Sequence, residues 1–236
     1  MVNFTLNSRF FVMETIDGAS LRFLKKLEAN NNRDWFEAHK DTFKVHQAQV
    51  KTFFEALASR MEAYDQIEKT KMFRIYRDVR FSKDKTPYKT QFAASYSRLG
   101  LERRGGRFLC IKPGGSFAAA GFWNPNKEDL LRIRQELDLD ASEFKGVVEA
   151  KPFAAIWGKL KGDAVKTAPK GFDKHHPDIA LIRQKQFIFV KNFTDSKVLE
   201  EDFIHQVDGA FKAVLPYFDL MGSILTTNLN GESLIG

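Results

Sequence analysis

The sequence predicts an α+β fold in which helices pack on a mainly antiparallel sheet. Three observations carry this. Apolar residues recur at helical spacing toward both ends of the chain, they alternate with period two in the middle, and Pro113-Gly114-Gly115 separates two of the alternating runs. Proline followed by glycine suits the central positions of a type II turn, so those runs are expected to pair as an antiparallel hairpin.

The elements follow in order. Residues 1–17 read as a strand or arm. A helix is expected over 20–28, capped by Ser20, with Leu21, Leu24 and Leu27 on one face. Asn30-Asn31-Asn32 ends it. A longer helix is expected over 33–64, where Phe36, Phe43, Val50, Phe53, Phe54, Leu57 and Met61 keep gaps compatible with one apolar stripe. Strands are predicted over 72–76, 91–96, 107–112 and 116–123. Helices follow over 126–139 and 142–150, the second capped by Ser142. Residues 151–177 read as irregular, 186–193 as a buried strand, 196–218 as a final helix and 219–236 as a frayed tail. No segment is rich enough in Gly, Pro or Ser to act as a linker, so one domain is expected.

Apolar residues make up 43% of the 236, enough for a sizeable core, and most of the 23 Phe are expected inside it. The one cysteine, Cys110, lies in an apolar run, where a buried small hydrophobe is the expected role. No apolar stretch approaches the ~20 residues of a membrane span, and the first residues lack a secretory pattern. With a lone thiol, these features fit the cytoplasm.

Net charge is +7, and it is unevenly spread along the chain. Residues 71–112 hold twelve basic and three acidic residues, an excess of +9 that leaves the remainder at −2. Charge concentrated in this way points to a site. Its densest part runs from Arg74 to Thr90. If 74–81 is extended, Arg74, Tyr76, Asp78 and Arg80 share one face, where Asp78 can pair with the arginines on both sides. Ser82, Lys83 and Lys85 lie in turn chemistry suited to cradling an anion.

That run, Arg-Ile-Tyr-Arg-Asp-Val-Arg-Phe-Ser-Lys-Asp-Lys-Thr-Pro-Tyr-Lys-Thr, together with Asn31-Asn32-Arg33-Asp34-Trp35-Phe36 upstream, resembles an uncharacterised bacterial and fungal family, domain of unknown function 2461. Gly121-Phe122-Trp123-Asn124-Pro125, the stretch from Leu131 to Gln135, and the late loop from Ala168 to Asp178 with Leu181-Ile182-Arg183 are similar to further elements of it. The resemblance implies one domain over roughly 21–218 and no assigned activity.

Other constellations carry less. Asp173, His175, His176 and Asp178 include metal-ligand types, but no second pair at ligand spacing accompanies them, and a loop entering a helix accounts for them; no metal is expected. Trp123 and Tyr88 suit core packing, or stacking on a base or sugar. Glycine-rich dinucleotide, phosphate-loop, HExxH and GxSxG patterns are absent from the sequence.

The expected function is therefore binding of an anionic, phosphorylated ligand. Arg74, Arg77, Arg80 and Lys89 would grip it, Asp78 would orient the arginines, and Ser82, Lys83 and Lys85 would close round it. Tyr88 or Trp123 would stack, and His175 and Arg183 would join from the late loop. A nucleic-acid-binding module and a scaffold docking an acidic partner are the alternatives. No cofactor or reaction is specified by these residues.

Overall fold

The computed structural model describes residues 14–235, so most of the expected arm over 1–17 lies outside the described residues. Asp17 caps α1 (Gly18–Ala29), its carboxylate accepting from the Ala19 N–H at 2.9 Å. Ser20, the expected cap, is instead buried one turn inside and meets His46 Nδ1 at 3.2 Å. Asn32 caps α2 (Arg33–Ala38) by accepting from the Trp35 N–H. The single helix predicted over 33–64 is broken at His39 and resumes as α3 (Lys40–Met61). The cause is local. His39 Nδ1 meets the Trp35 carbonyl at 2.7 Å, the oxygen that its own helical N–H would use, and that N–H turns to Phe36 instead.

A five-stranded antiparallel sheet follows, in the order β1 (Ile67–Met72), β2 (Phe92–Arg98), β3 (Gly106–Ile111), β4 (Ser116–Phe122) and β5 (Phe187–Phe193). The first strand lies earlier than the predicted 72–76, because the polar run Ile67–Met72 on the sheet edge carries little hydrophobic alternation. The β3–β4 turn forms as expected: Gly114 has φ 67°, and the Gly115 N–H donates to the Lys112 carbonyl at 3.0 Å. Gly121 has φ 137°, and a Cβ there would stand 2.2 Å from the Phe187 carbonyl oxygen, so the β4–β5 approach requires glycine.

Asn126 caps α4 (Lys127–Leu139). In α5 (Ser142–Val148), Ser142 is not the cap; its N–H and hydroxyl both donate to Asp140. The stretch predicted irregular contains α6 (Lys151–Trp157), whose Pro152 sits in the first turn where a missing N–H costs nothing, and α7 (Ile179–Ile182). After β5, the predicted final helix divides into α8 (Asp195–Val198), α9 (Phe203–Ala213) and α10 (Leu215–Thr226), with Pro216 opening the last. Residues 219–226 are therefore helix rather than frayed tail. Met221 and Ile224 are buried there, and Arg132 holds the following turn through the Thr227 carbonyl.

The sheet has two unlike faces. Tyr96, Leu109, Ala118 and Phe189 point into the main hydrophobic cluster, with Phe53 and Phe54 of α3 and Phe211 of α9. Burying each such ring is worth about 2 kcal/mol. On the other face, Phe108, Phe117 and Val190 are half-buried and do not join that cluster. No helix among the described residues is long and apolar enough to cross a membrane.

Candidate functional site

The 74–90 segment leaves the sheet and pairs with itself. The Phe73 N–H still donates to the Ala93 carbonyl. Beyond it, the Lys89 N–H donates to Ile75 at 2.7 Å, the Arg77 N–H donates to Pro87 at 2.9 Å, and Tyr76 bridges Tyr88. The expected run of extended residues over 74–81 is therefore corrected to an irregular hairpin. Pro87, lacking an N–H, takes part through its carbonyl alone.

Asp84 shapes the tip. One of its oxygens accepts from the Thr86 N–H at 2.9 Å and from the Thr86 hydroxyl at 2.8 Å, and Arg77 pairs with the other. These contacts, the Thr86 N–H first, hold the Asp84 carboxyl down at about 2. Lys85 is exposed, and its ammonium bends back on its own loop to donate to the Val79 carbonyl at 2.9 Å; it does not line the hollow at the base of the hairpin. Asp78 is bidentate to Arg80, through Nε at 3.0 Å and a terminal nitrogen at 2.7 Å, and it makes no hydrogen bond to Arg74. The predicted Arg–Asp–Arg ladder is thus a single exposed pair.

The base of this hairpin bounds a hollow of about 630 Å³. Arg77, Asp78, Thr86 and Lys89 line it from the segment, Glu28 and Asn31 from the end of α1, and Lys112 from the end of β3. Tyr88 also borders it but is buried, its ring stacked on Phe36 at 4.0 Å, so it anchors the wall. Lys89 reaches the Arg74 carbonyl at 3.0 Å. Burial first, and the Arg74 charge second, push its pKa down. Neither Lys89 nor Lys112 has a carboxylate partner among the described residues.

The remaining predicted residues go elsewhere. Arg74 lines a separate hollow with Lys44 and Lys51 on α3. Arg80, Ser82 and Lys83 lie on the loop beyond the hollow's lining, beside Phe81, which is 97% exposed. Trp123 packs edge-on to Phe108 on the open side of the sheet. Arg183 lines a hollow with Asp173 and Phe172, and the His175 N–H donates to Asp173. Neither borders the 74–90 hollow. Among the described residues, no group of three His, Cys, Asp or Glu side chains is placed to hold a metal ion.

The linear excess of cations is also dispersed in space. Arg98 and Arg107 are interior, and both donate to Asp65, at 2.8 and 2.6 Å. Their guanidinium groups lie 5.1 and 5.0 Å from the Phe218 ring centroid. Arg104 pairs with Asp129, and Arg103 bonds Gln66. These arginines support the fold.

Sequence reasoning did not assign Glu28, Asn31, Thr86 or Lys112 to the site. Asn31 carried a signal, because it begins the upstream stretch of the family resemblance. A family model described as conserved hypothetical protein (DUF2461) matches residues 19–220. No curated protein matches the chain.

Proposed function

The chain belongs to the DUF2461 family, and on that premise we propose that the hollow beneath the 74–90 segment binds a small phosphorylated ligand. The observation that supports this most is the pair Lys89 and Lys112. They line one hollow without carboxylate partners among the described residues, while Arg77 is neutralised by Asp84. A single phosphate compensates two ammonium groups. It would also relieve the partly buried Lys89, whose charged form is disfavoured before an anion arrives. Asn31, Thr86, Thr90 and Gln91 add neutral hydrogen-bonding groups for the rest of a small ligand.

The concave shape, with the carboxylates of Glu28, Asp78 and Asp84 along its wall, favours a small ligand over a track of backbone phosphates at this segment. A second reading rests on Phe81. Exposed at the tip, with the Arg80 guanidinium 6.0 Å from its ring and Lys83 nearby in sequence, it suits docking of an acidic partner.

The test is a thermal-shift series with inorganic phosphate, ribose 5-phosphate and adenosine monophosphate, on wild type, Lys89→Ala and Lys112→Ala. Stabilisation of wild type that both substitutions abolish supports the hollow. Stabilisation that survives both moves the site elsewhere. No stabilisation by any of the three compounds leaves the docking reading ahead.

A further inference from the structure

We propose that the open face of the sheet binds single-stranded nucleic acid, a surface that adjoins the phosphate hollow and shares Lys89 with it. The register defines this face. Ser95, Phe108, Ala119 and Val190 lie in one cross-strand row, with Lys71 of β1 opposite Ser95 at its end. In the next row Ala93, Cys110 and Phe117 stand together, with Phe73 beside Ala93. The side chains of these rows lie outside the main hydrophobic cluster.

Aromatic rings dominate the face. Phe108 is central, with ring centroids 5.8 Å from Phe73, 5.7 Å from Phe117 and 6.4 Å from Trp123. All four are half-buried, so each ring is packed at its edge or base and still offers surface to solvent. The residues around them are small, and Ala93, Ala119 and Gly121 are buried, so the half-buried rings make up most of the apolar surface that this face offers. This is the form of a stacking platform, and unstacked bases fit it because every base has a π-face. At ~4.8 Å between strands, the five strands span about 19 Å, the width of a short run of bases.

The charge on the face selects the occupant. Strands β2, β3, β4 and β5 contain no Asp or Glu, and β1 contains one, Glu68, at its irregular end. The cations are at the rim. Lys71 Nζ lies 5.5 Å and Lys89 Nζ 5.7 Å from the Phe73 ring centroid, and Lys161 bridges Ile188 at the opposite edge. None of these lysines is in an ion pair among the described residues. A second copy packed on this face would set lysines against a surface with almost no carboxylates. A nucleic-acid strand brings phosphates to the rim and bases to the rings. A duplex keeps its bases stacked inside and offers the platform nothing to stack.

The test is fluorescence anisotropy with a labelled oligo-dT of about twelve nucleotides, a labelled duplex of equal length, and sedimentation velocity alongside. The expected result is binding of the single strand in preference to the duplex, weakened roughly ten-fold by Phe108→Ala. Lys71→Gln, an exposed change that leaves the core untouched, is expected to weaken binding and lower the slope of log affinity against log salt by about one. Equal binding of duplex and single strand, no binding in low salt, or affinity unchanged in both variants overturns the proposal. A dimer that Phe108→Ala dissociates and oligo-dT does not would assign the face to a second copy.

Discussion

The side-chain amide of Asn31 stands in for a strand partner to Tyr88: Nδ2 donates to the Tyr88 carbonyl at 2.9 Å, and the Tyr88 N–H donates to Oδ1 at 3.1 Å. One side chain thereby satisfies both backbone groups of a residue 57 positions away. It ties the end of α1 to the 74–90 segment, along the wall of the hollow.

Asn31→Ala is expected to leave those two groups without their partner, at a cost of about 1–3 kcal/mol. Asn31→Asp keeps the acceptor but turns a carboxylate oxygen toward the Tyr88 carbonyl, and is also expected to destabilise. Urea unfolding measures both. A change within about 0.5 kcal/mol for Asn31→Ala, the scatter of neutral surface substitutions, would show that the bridge contributes little.

Asp65 serves two interior arginines, so its removal strands charge. Asp65→Asn is expected to cost about 3–5 kcal/mol, because Arg98 and Arg107 remain buried without their carboxylate. The same unfolding assay reads it. A loss below about 1 kcal/mol would mean that water compensates, or Asp219, whose exposed carboxylate lies 3.6 Å from the Arg98 guanidinium.

The Asp84 loop has a defined acid limit. Its folded pKa is depressed to about 2 from an ordinary 3.8, so the order that it contributes is present above 3.8 and is lost as pH falls through about 2. Amide shifts of Thr86 followed by NMR from pH 6 to about 2 are expected to hold steady until that window. In Asp84→Asn the step is expected to vanish.

Much of this fold was legible because burial writes itself as periodicity. Leu21, Leu24 and Leu27 mark α1, and Phe187 and Phe189 mark the buried strand β5. The breaks were not legible. His39 interrupts a helix through a side-chain bond to Trp35, and Pro216 opens a new helix where the apolar spacing alone continues the old one. For the site, the sequence located the segment but not the roles. Proximity in the chain cannot show that Arg107 points inward to Asp65, that Lys85 turns back on its own loop, or that Lys112 joins Lys89. Those outcomes depend on partners from other strands and helices.

The thiol of Cys110 is pushed up to about 12 by burial, with Lys112 opposing weakly. It is expected to resist a thiol reagent at pH 8 in the native protein and to react fully in urea. Rapid labelling of the native state would show that β3 opens locally.

The most direct test of the phosphate hollow is a titration of the isotope-labelled protein with inorganic phosphate, followed through backbone amide shifts. The account predicts saturable shifts at Asn31, Lys89, Thr90, Gln91 and Lys112, lost in Lys112→Ala. Shifts confined to the tip around Phe81, or to Lys44 and Arg74, would contradict it.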